Sequence, residues 1–269
     1  MERGWRIDPP FSIFDPRSSI VGVGVLMGSG IFITGTDTGV GKTVVAATLA
    51  TYLRDLDYRV GVMKPVETGC QEIDGKLIPE DATRLKEASG CAEPVETICP
   101  YRLREPLAPS MAAERAGVKI DIDYLLDLYG EISAKHDITL VEGAGGLMVP
   151  LLPSYTYADF ARVLKLPLIV VAANRLGAIN HLLLTLEHAS CKGLGVLGYV
   201  LNQVSSEASL AVDTNREVVA NLTGVLCLGE LPFVETAENQ KQYPLDLFEK
   251  EFDVRLIERV LRFRSWAVG

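Results

Sequence analysis

The stretch GTDTGVGKT, residues 35–43, decides how the chain is read. It follows an apolar β-rich run at residues 31–34. After it, Val45, Leu49, Tyr52, Leu53 and Leu56 recur at helical spacing, so strand, glycine-rich loop and helix succeed one another. Such a loop turns backbone N–H groups toward phosphate oxygens, and the helix N-terminus adds a favourable dipole. Lys42 would then reach β- and γ-phosphates, and the Thr43 hydroxyl would ligate Mg2+. The spacing is a variant, because the position five before Gly41 is Thr36 and Gly35 lies six before it. A glycine turn that merely precedes a Lys-Thr pair is the alternative, and the strand and helix on either side weigh against it.

From this loop outward, β-rich runs alternate with helical patterns, which predicts an α/β protein with a mainly parallel sheet flanked by helices. Strands are expected at residues 31–34, 60–63, 138–142, 168–172, 197–201 and 225–229. Several are continuous apolar runs, as strands covered on both faces require. Helices are expected from near Lys42 and at residues 81–88, 123–134, 180–189, 210–222 and 245–262. With no repeat, low-complexity tract or linker, the expectation is a single P-loop NTPase-type domain. Residues 94–109 hold Pro94, Pro100, Pro106 and Pro109 and read as a long functional or mobile loop.

Residues 18–36 carry no charge and approach the ~20 residues of a spanning helix. Gly22, Gly24, Gly28, Gly30 and Gly35 lie within the run, and its second half is needed as the strand before the phosphate loop, so a membrane span is rejected. Arg3 and Arg6 ahead of the apolar residues 20–27 suggest a signal peptide, but Asp8 and Asp15 interrupt the approach. Met27 heads MGSGIFITGT, so residues 1–26 are expected to be an N-terminal extension, either disordered or the product of a start assigned too early. The folded domain is expected over residues 27–269.

Lys plus Arg number 26 and Asp plus Glu 35 in 269 residues, a net charge of −9 that opposes binding to a nucleic-acid backbone. The five cysteines have no C-x-x-C spacing, which points to reduced, mostly buried thiols in a cytoplasmic protein rather than a disulfide framework or zinc site.

Further chemistry-bearing residues sit at the C-terminal ends of expected strands, where open α/β sheets bind ligands. Lys64 follows the strand at 60–63 in KPVETG, near Thr68 and Gly69; taken alone, such a lysine is often a solvated charge. Glu142 ends ITLVE before Gly143, Ala144, Gly145 and Gly146, and resembles the acidic partner of a phosphate-loop Mg2+. Asp81 in PEDATRL is either a second Mg2+ partner or a helix N-cap. Mg2+ uses few protein carboxylates beside phosphate oxygens, so two carboxylates and a hydroxyl suffice. The segments RLGAINH, residues 175–181, and Asn202-Gln203 follow two more strands. Asn202 reads either as an adenine contact or as a turn-forming residue, and residues 230–234 could supply backbone contacts to a base.

Taken together, GTDTGVGKT, KPVETG, EDA, VEGAGG, RLGAINH, the Asn after the next strand and GELPF resemble the dethiobiotin synthetase family, in order from about Ile31 to Val234. The resemblance implies a single P-loop α/β domain, a homodimer, and conversion of 7,8-diaminononanoate, CO2 and MgATP to dethiobiotin, ADP and phosphate. An amine would capture CO2 as an N-carbamate, ATP would phosphorylate it to a carbamic-phosphoric anhydride, and the second amine would close the ureido ring.

By the same resemblance Lys42, Lys64 and Thr38 are catalytic, with Thr38 and Lys64 at the carbamate and Thr68 at the substrate. Gly39, Val40, Gly41, Lys42, Thr43 and Val44 would wrap the ATP phosphates, and Gly143, Ala144 and Gly145 would lie beside them. Thr43, Asp81 and Glu142 would hold Mg2+. Asn202, Gln203, Pro232, Phe233 and Val234 would line the adenine site. Gly177, Ala178, Ile179 and Asn180 would receive the substrate carboxylate across the dimer interface, with His181 beside the site and given no chemistry. Neither a membrane nor nucleic acid is implied as a partner. Gln203 departs from the acidic residue that can follow the Asn.

Two other readings compete. A ParA/MinD-like ATPase switch would carry a signature Lys where this loop has Asp37, and a surface-binding element. An amidating ligase of cofactor synthesis would need an attached glutamine-hydrolysing domain, for which the chain is too short.

Overall fold

The computed structural model describes residues 30–206, 210–235 and 243–255; the expected extension at residues 1–26 lies outside them. The first half runs β1 (Gly30–Gly35), α1 (Lys42–Asp55), β2 (Val60–Met63), β3 (Val66–Thr68), β4 (Gln71–Ile73), β5 (Lys76–Ile78), α2 (Glu80–Ser89), α3 (Val95–Ile98), β6 (Tyr101–Leu103), α4 (Pro109–Arg115) and α5 (Ile122–Lys135). The second runs β7 (Ile138–Gly146), β8 (Pro150–Leu152), β9 (Tyr155–Thr156), α6 (Tyr157–Leu164), β10 (Leu168–Ala173), α7 (Ala178–Cys191), β11 (Val196–Asn202), α8 (Leu210–Leu222), β12 (Cys227–Leu231) and α9 (Leu245–Glu251).

The six strands expected from sequence form one parallel sheet in the order β12-β11-β10-β1-β7-β2. Alternation along β1 sends Ile31 and Ile33 to one face and Phe32 to the other. The first face is covered by Val45 and Leu49 of α1, Leu85 of α2 and Phe248 of α9. On the second, Leu125 of α5, Phe160 of α6 and Leu182 of α7 close over Phe32, whose ring lies 6.5 Å from that of Phe160. Burial on both faces explains why these strands are continuous apolar runs.

Four expectations need correction. Leu56 is 42% exposed, because it caps the C-terminus of α1 instead of continuing its buried face. The strand expected at 225–229 is Cys227–Leu231, in register with β11 through Tyr199↔Cys227. Residues 94–109 are not a bare loop: they contain α3 and β6, and β6 pairs in parallel with β3 through Glu67↔Arg102. Of the helix expected over 245–262, residues 256–262 lie outside the described residues, and the described part breaks after Glu251, where Phe252 bridges Gly229 and stacks on Phe248 at 4.4 Å. A Cβ at Gly229 would lie 2.4 Å from the Glu251 carbonyl oxygen, so a glycine is what lets the chain cover this sheet edge.

All five cysteines are free; Cys70, Cys91 and Cys99 are buried, Cys227 half-buried and Cys191 exposed. Among the described residues no helix is long and apolar enough to cross a membrane. The described part of the uncharged run at 18–36 is β1 and the start of the loop after it.

Candidate active site

The sheet order builds the site. β7 lies between β1 and β2, so the loop after β1, Glu142 of β7 and Lys64 just beyond β2 emerge side by side at the C-terminal edge. Gly41 is the N-cap of α1 with φ of 90°, and that helix has neither a side-chain cap nor an acidic residue in its first turn. Its first N–H groups therefore remain available to an anion. A Cβ on Gly41 would also fall 2.1 Å from Asn202 Nδ2, so both backbone conformation and space demand glycine there.

Both lysines are buried. Lys42 Nζ donates to the Asp37 carbonyl oxygen at 3.0 Å. Burial brings the Lys42 pKa down to about 8; the nearby Lys64 charge adds to the lowering, and Glu142 and Asp81 oppose it. Lys64 is only 3% exposed, so it is not a solvated surface charge. Its ammonium donates to Glu142 Oε1 at 2.5 Å and to Asp81 Oδ2 at 3.0 Å. Burial alone would lower its pKa, but the two carboxylates outweigh it and hold the group well above its ordinary value. Lys64 is therefore a fixed cation.

Thr43 donates its hydroxyl to Glu142 Oε1 at 2.9 Å. Asp81 is the second residue of α2, whose N-cap is Pro79, so the N-cap alternative for Asp81 does not hold. Burial would raise the Asp81 carboxyl, but Lys64 and the Thr43 hydroxyl hold it below the usual carboxylate range. Glu142 Oε2 is buried with no hydrogen-bond partner among the described residues. Thr43, Asp81 and Glu142 thus bring hydroxyl and carboxylate oxygens together, the Lys64 ammonium bridging the two carboxylates and one buried Glu142 oxygen left unsatisfied, a donor set suited to Mg2+.

Thr38 is exposed beside Gly145, where a Cβ would be 3.5 Å from the Thr38 hydroxyl. Thr36, Asp37, Thr38, Gly145, Met148 and Val149 line a depression of about 350 Å³ next to the phosphate loop. Asp37 accepts the Thr38 N–H at 2.7 Å, and Arg175 lies 3.9 Å from its carboxylate, linking the loop to the segment after β10. Gly143 packs against Phe32, where a Cβ would meet the ring at 3.3 Å. Gly177, φ 92°, is the N-cap of α7, which likewise has no side-chain cap or acidic first turn; Ala178, Ile179 and Asn180 follow within it. Thr68 ends β3 and is half-buried.

Asn202 does not behave as a turn residue. Its amide nitrogen donates to the Val40 carbonyl oxygen at 2.8 Å, and its amide oxygen lies 2.6 Å from the Tyr243 hydroxyl. That hydroxyl is also 3.0 Å from the Pro232 carbonyl oxygen, so Asn202 and the segment after β12 are tied together. Pro232, Phe233 and Val234 are half-buried, as is Gln203, whose N–H pairs with Leu231. Two residues near this site carried no role in the sequence reading. Tyr243 had no local signal, while Glu67 stands within the quoted KPVETG. The Glu67 carboxylate is buried, and burial with the nearby Asp81 charge pushes its pKa up to about 7.

Residues 29–241 match a family model described as an AAA domain. The chain is 41% identical over 242 residues to the ATP-dependent dethiobiotin synthetase BioD of Bacillus cereus (strain G9842), covering 90% of this chain and 98% of that protein. It is also 41% identical over 238 residues to the protein of the same name from Bacillus thuringiensis (strain Al Hakam), covering 88% and 96%. Among solved structures, the septum site-determining protein MinD with Mg-ADP from Pyrococcus horikoshii OT3 superposes with a TM-score of 0.51 at 17% identity, over 84% of this chain and 88% of that one. The MinC:MinD complex of Aquifex aeolicus gives 0.51 at 16% identity, over 88% and 96%. These two likenesses establish the P-loop NTPase fold alone.

Proposed function

The chain belongs to the dethiobiotin synthetase family, and we propose that it makes dethiobiotin from 7,8-diaminononanoate, CO2 and ATP at the site formed by α1, β2, α2 and β7. The observation that supports this most directly is the placement of two buried lysines, Lys42 and Lys64, beside the open N-terminus of α1. An ATPase switch needs a phosphate loop; a second buried cation beside it suits a second anion, the carbamate. Asp37 stands where the ParA/MinD-like branch would have its signature Lys, and the likeness to MinD structures is one of fold.

The chemistry has three steps. An amine nitrogen bonds to CO2 and loses a proton, forming the carbamate. A carbamate oxygen then takes the γ-phosphoryl group as the bond to ADP breaks. The second amine attacks the activated carbonyl, inorganic phosphate leaves, and a proton is released as the ring closes. Lys64, kept charged by its carboxylates, and Lys42 neutralise carbamate and γ-phosphate while Thr38 hydrogen-bonds the carbamate and Thr68 contacts the substrate. The contribution is positioning and charge stabilisation, as for phosphoryl transfer in general. Thr43, Asp81 and Glu142 would hold the Mg2+ that accompanies ATP, which when bound neutralises charge on the β- and γ-phosphoryl oxygens. Gly39 to Val44 wrap the phosphates, and Asn202, Gln203 and Pro232 to Val234 face adenine.

The proposal includes a homodimer in which Gly177, Ala178, Ile179 and Asn180 receive the substrate carboxylate at the interface. The uncapped start of α7 and the exposed Leu176 and Leu184, at 86% and 61%, support that reading. It also treats residues 27–269 as one domain and the cytoplasm, where ATP is at hand, as the compartment. Supplying the diamine, bicarbonate and MgATP should yield cyclic urea with one ADP per ring closed. ATP hydrolysis without urea would overturn the ligase reading.

A further inference from the structure

We propose that Glu67 is a positioning residue that sets Asp81 for metal binding by holding the backbone at the start of α2. This rests on the reading of Asp81 as a magnesium ligand. Helix α2 begins after Pro79, which has no side-chain acceptor, and no residue of its own caps it. Glu67 supplies the missing cap from β3: one carboxylate oxygen accepts the Asp81 N–H and the other the Ala82 N–H, both at 3.0 Å. The carboxylate is buried at 6% exposure, and its strand is anchored by pairing with β6 and by fully buried Val66.

The consequence for Asp81 follows from geometry. Lys64 grips its side chain at 3.0 Å while Glu67, three residues on in KPVETG, grips its backbone N–H. Both ends of one ligand residue are thus held by one short segment. With the Asp81 backbone fixed, only the side chain held by Lys64 has to adjust when its carboxylate meets a metal ion. Removing the Glu67 carboxylate frees the first turn of α2 and makes that ordering part of metal binding. Groups that orient a metal ligand commonly change affinity by about 10–100-fold.

The test uses the full chain with ADP and Mn2+ as the probe, free Mn2+ being followed by electron paramagnetic resonance. Glu67→Ala should weaken Mn2+ binding to the ADP complex roughly tenfold, with ADP affinity in EDTA unchanged. Glu67→Gln keeps one acceptor oxygen but turns an amide NH2 toward the other N–H, so it should fall between wild type and Ala. In an Asp81→Asn background, Glu67→Ala should weaken Mn2+ no further, because the two act through one ligand. A lowered melting temperature with unchanged Mn2+ affinity in both Glu67 variants would make Glu67 a structural cap only and overturn the inference. If Asp81→Asn alone leaves Mn2+ affinity unchanged, the Asp81 reading falls and takes this one with it. Should the Ala variant fail to fold, the Gln variant decides by the same readout.

Discussion

The Lys64 ammonium and the Glu142 carboxylate, 78 residues apart in sequence, meet at 2.5 Å with both side chains almost wholly buried, at 3% and 1% exposure. A buried charge without its partner is costly, so each residue keeps the other in place. Substitutions here must therefore be read for stability as well as for turnover.

Lys64→Gln should leave nucleotide binding in the absence of metal largely intact and reduce turnover by orders of magnitude, since the charge is needed most as the carbamate is phosphorylated. It should also lower stability by about 3 kcal/mol by leaving Glu142 uncompensated. Nucleotide titration, single-turnover assay below the melting point and urea denaturation separate the two effects; unchanged turnover would defeat the assigned role.

Gly41→Ala should destabilise the fold and impair nucleotide binding, because φ is 90° and the new methyl would sit 2.1 Å from Asn202 Nδ2. A loss of roughly 1–3 kcal/mol is expected for a non-glycine residue held there. Combining it with Asn202→Ala should recover the steric part but not the conformational part, giving a smaller loss than the sum. Additive losses by chemical denaturation would show that the contact with Asn202 is not what excludes a side chain.

Tyr243→Phe removes the hydroxyl shared between Asn202 and Pro232 and should cost about 1 kcal/mol of stability. With one of its fixed partners gone, the Asn202 amide, proposed above as an adenine contact, should discriminate bases less, narrowing the ratio of kcat/KM for ATP over GTP. A ratio equal to that of wild type would remove Asn202 orientation from the account of base selection.

Acid stability should depend on Asp159, which closes a reciprocal cap with Thr156 at the start of α6 and accepts from Lys192 at 3.0 Å. Burial would raise this carboxyl, but the hydrogen bonds from Thr156 and Lys192 bring it down to about 2. An unfolded Asp titrates near ~3.9, so the native state gains from this group above about pH 4 and loses that gain as pH falls toward about 2. Urea midpoints measured from pH 5 to pH 3 should fall less steeply for Asp159→Asn than for wild type. Parallel curves would count against the assignment.

Much of the fold was legible in the sequence because the signals are local. The apolar runs of β1, β7, β10 and β11 and the spacing in α1 announce themselves within ten or so residues. What escaped was short or long-range. The β3–β6 ribbon has three residues per strand and no pattern of its own. Helix α6 does carry a local signal, the reciprocal cap Thr156-x-x-Asp159 at its start. The C-terminal helix looked continuous because nothing local foretells that Phe252 will bridge Gly229.

The candidate site divides in the same way. By itself the sequence determined the phosphate loop, from Gly35 through Gly41 to Lys42 and Thr43, because strand, turn and helix N-terminus are contiguous and their phosphate-binding groups lie within nine residues. Only the tertiary structure decided that Lys64 is buried between Asp81 and Glu142, that Glu67 caps the helix bearing Asp81, and that Asn202 binds Val40 across 162 residues. The Lys64 and Asn202 partnerships follow from the strand order β11-β10-β1-β7-β2, which brings distant strand ends to one edge, whereas the Glu67 cap depends on β3, which pairs with β6 outside that sheet. Hydrophobic periodicity says which face of a strand is buried, but it does not say which strand lies next to it.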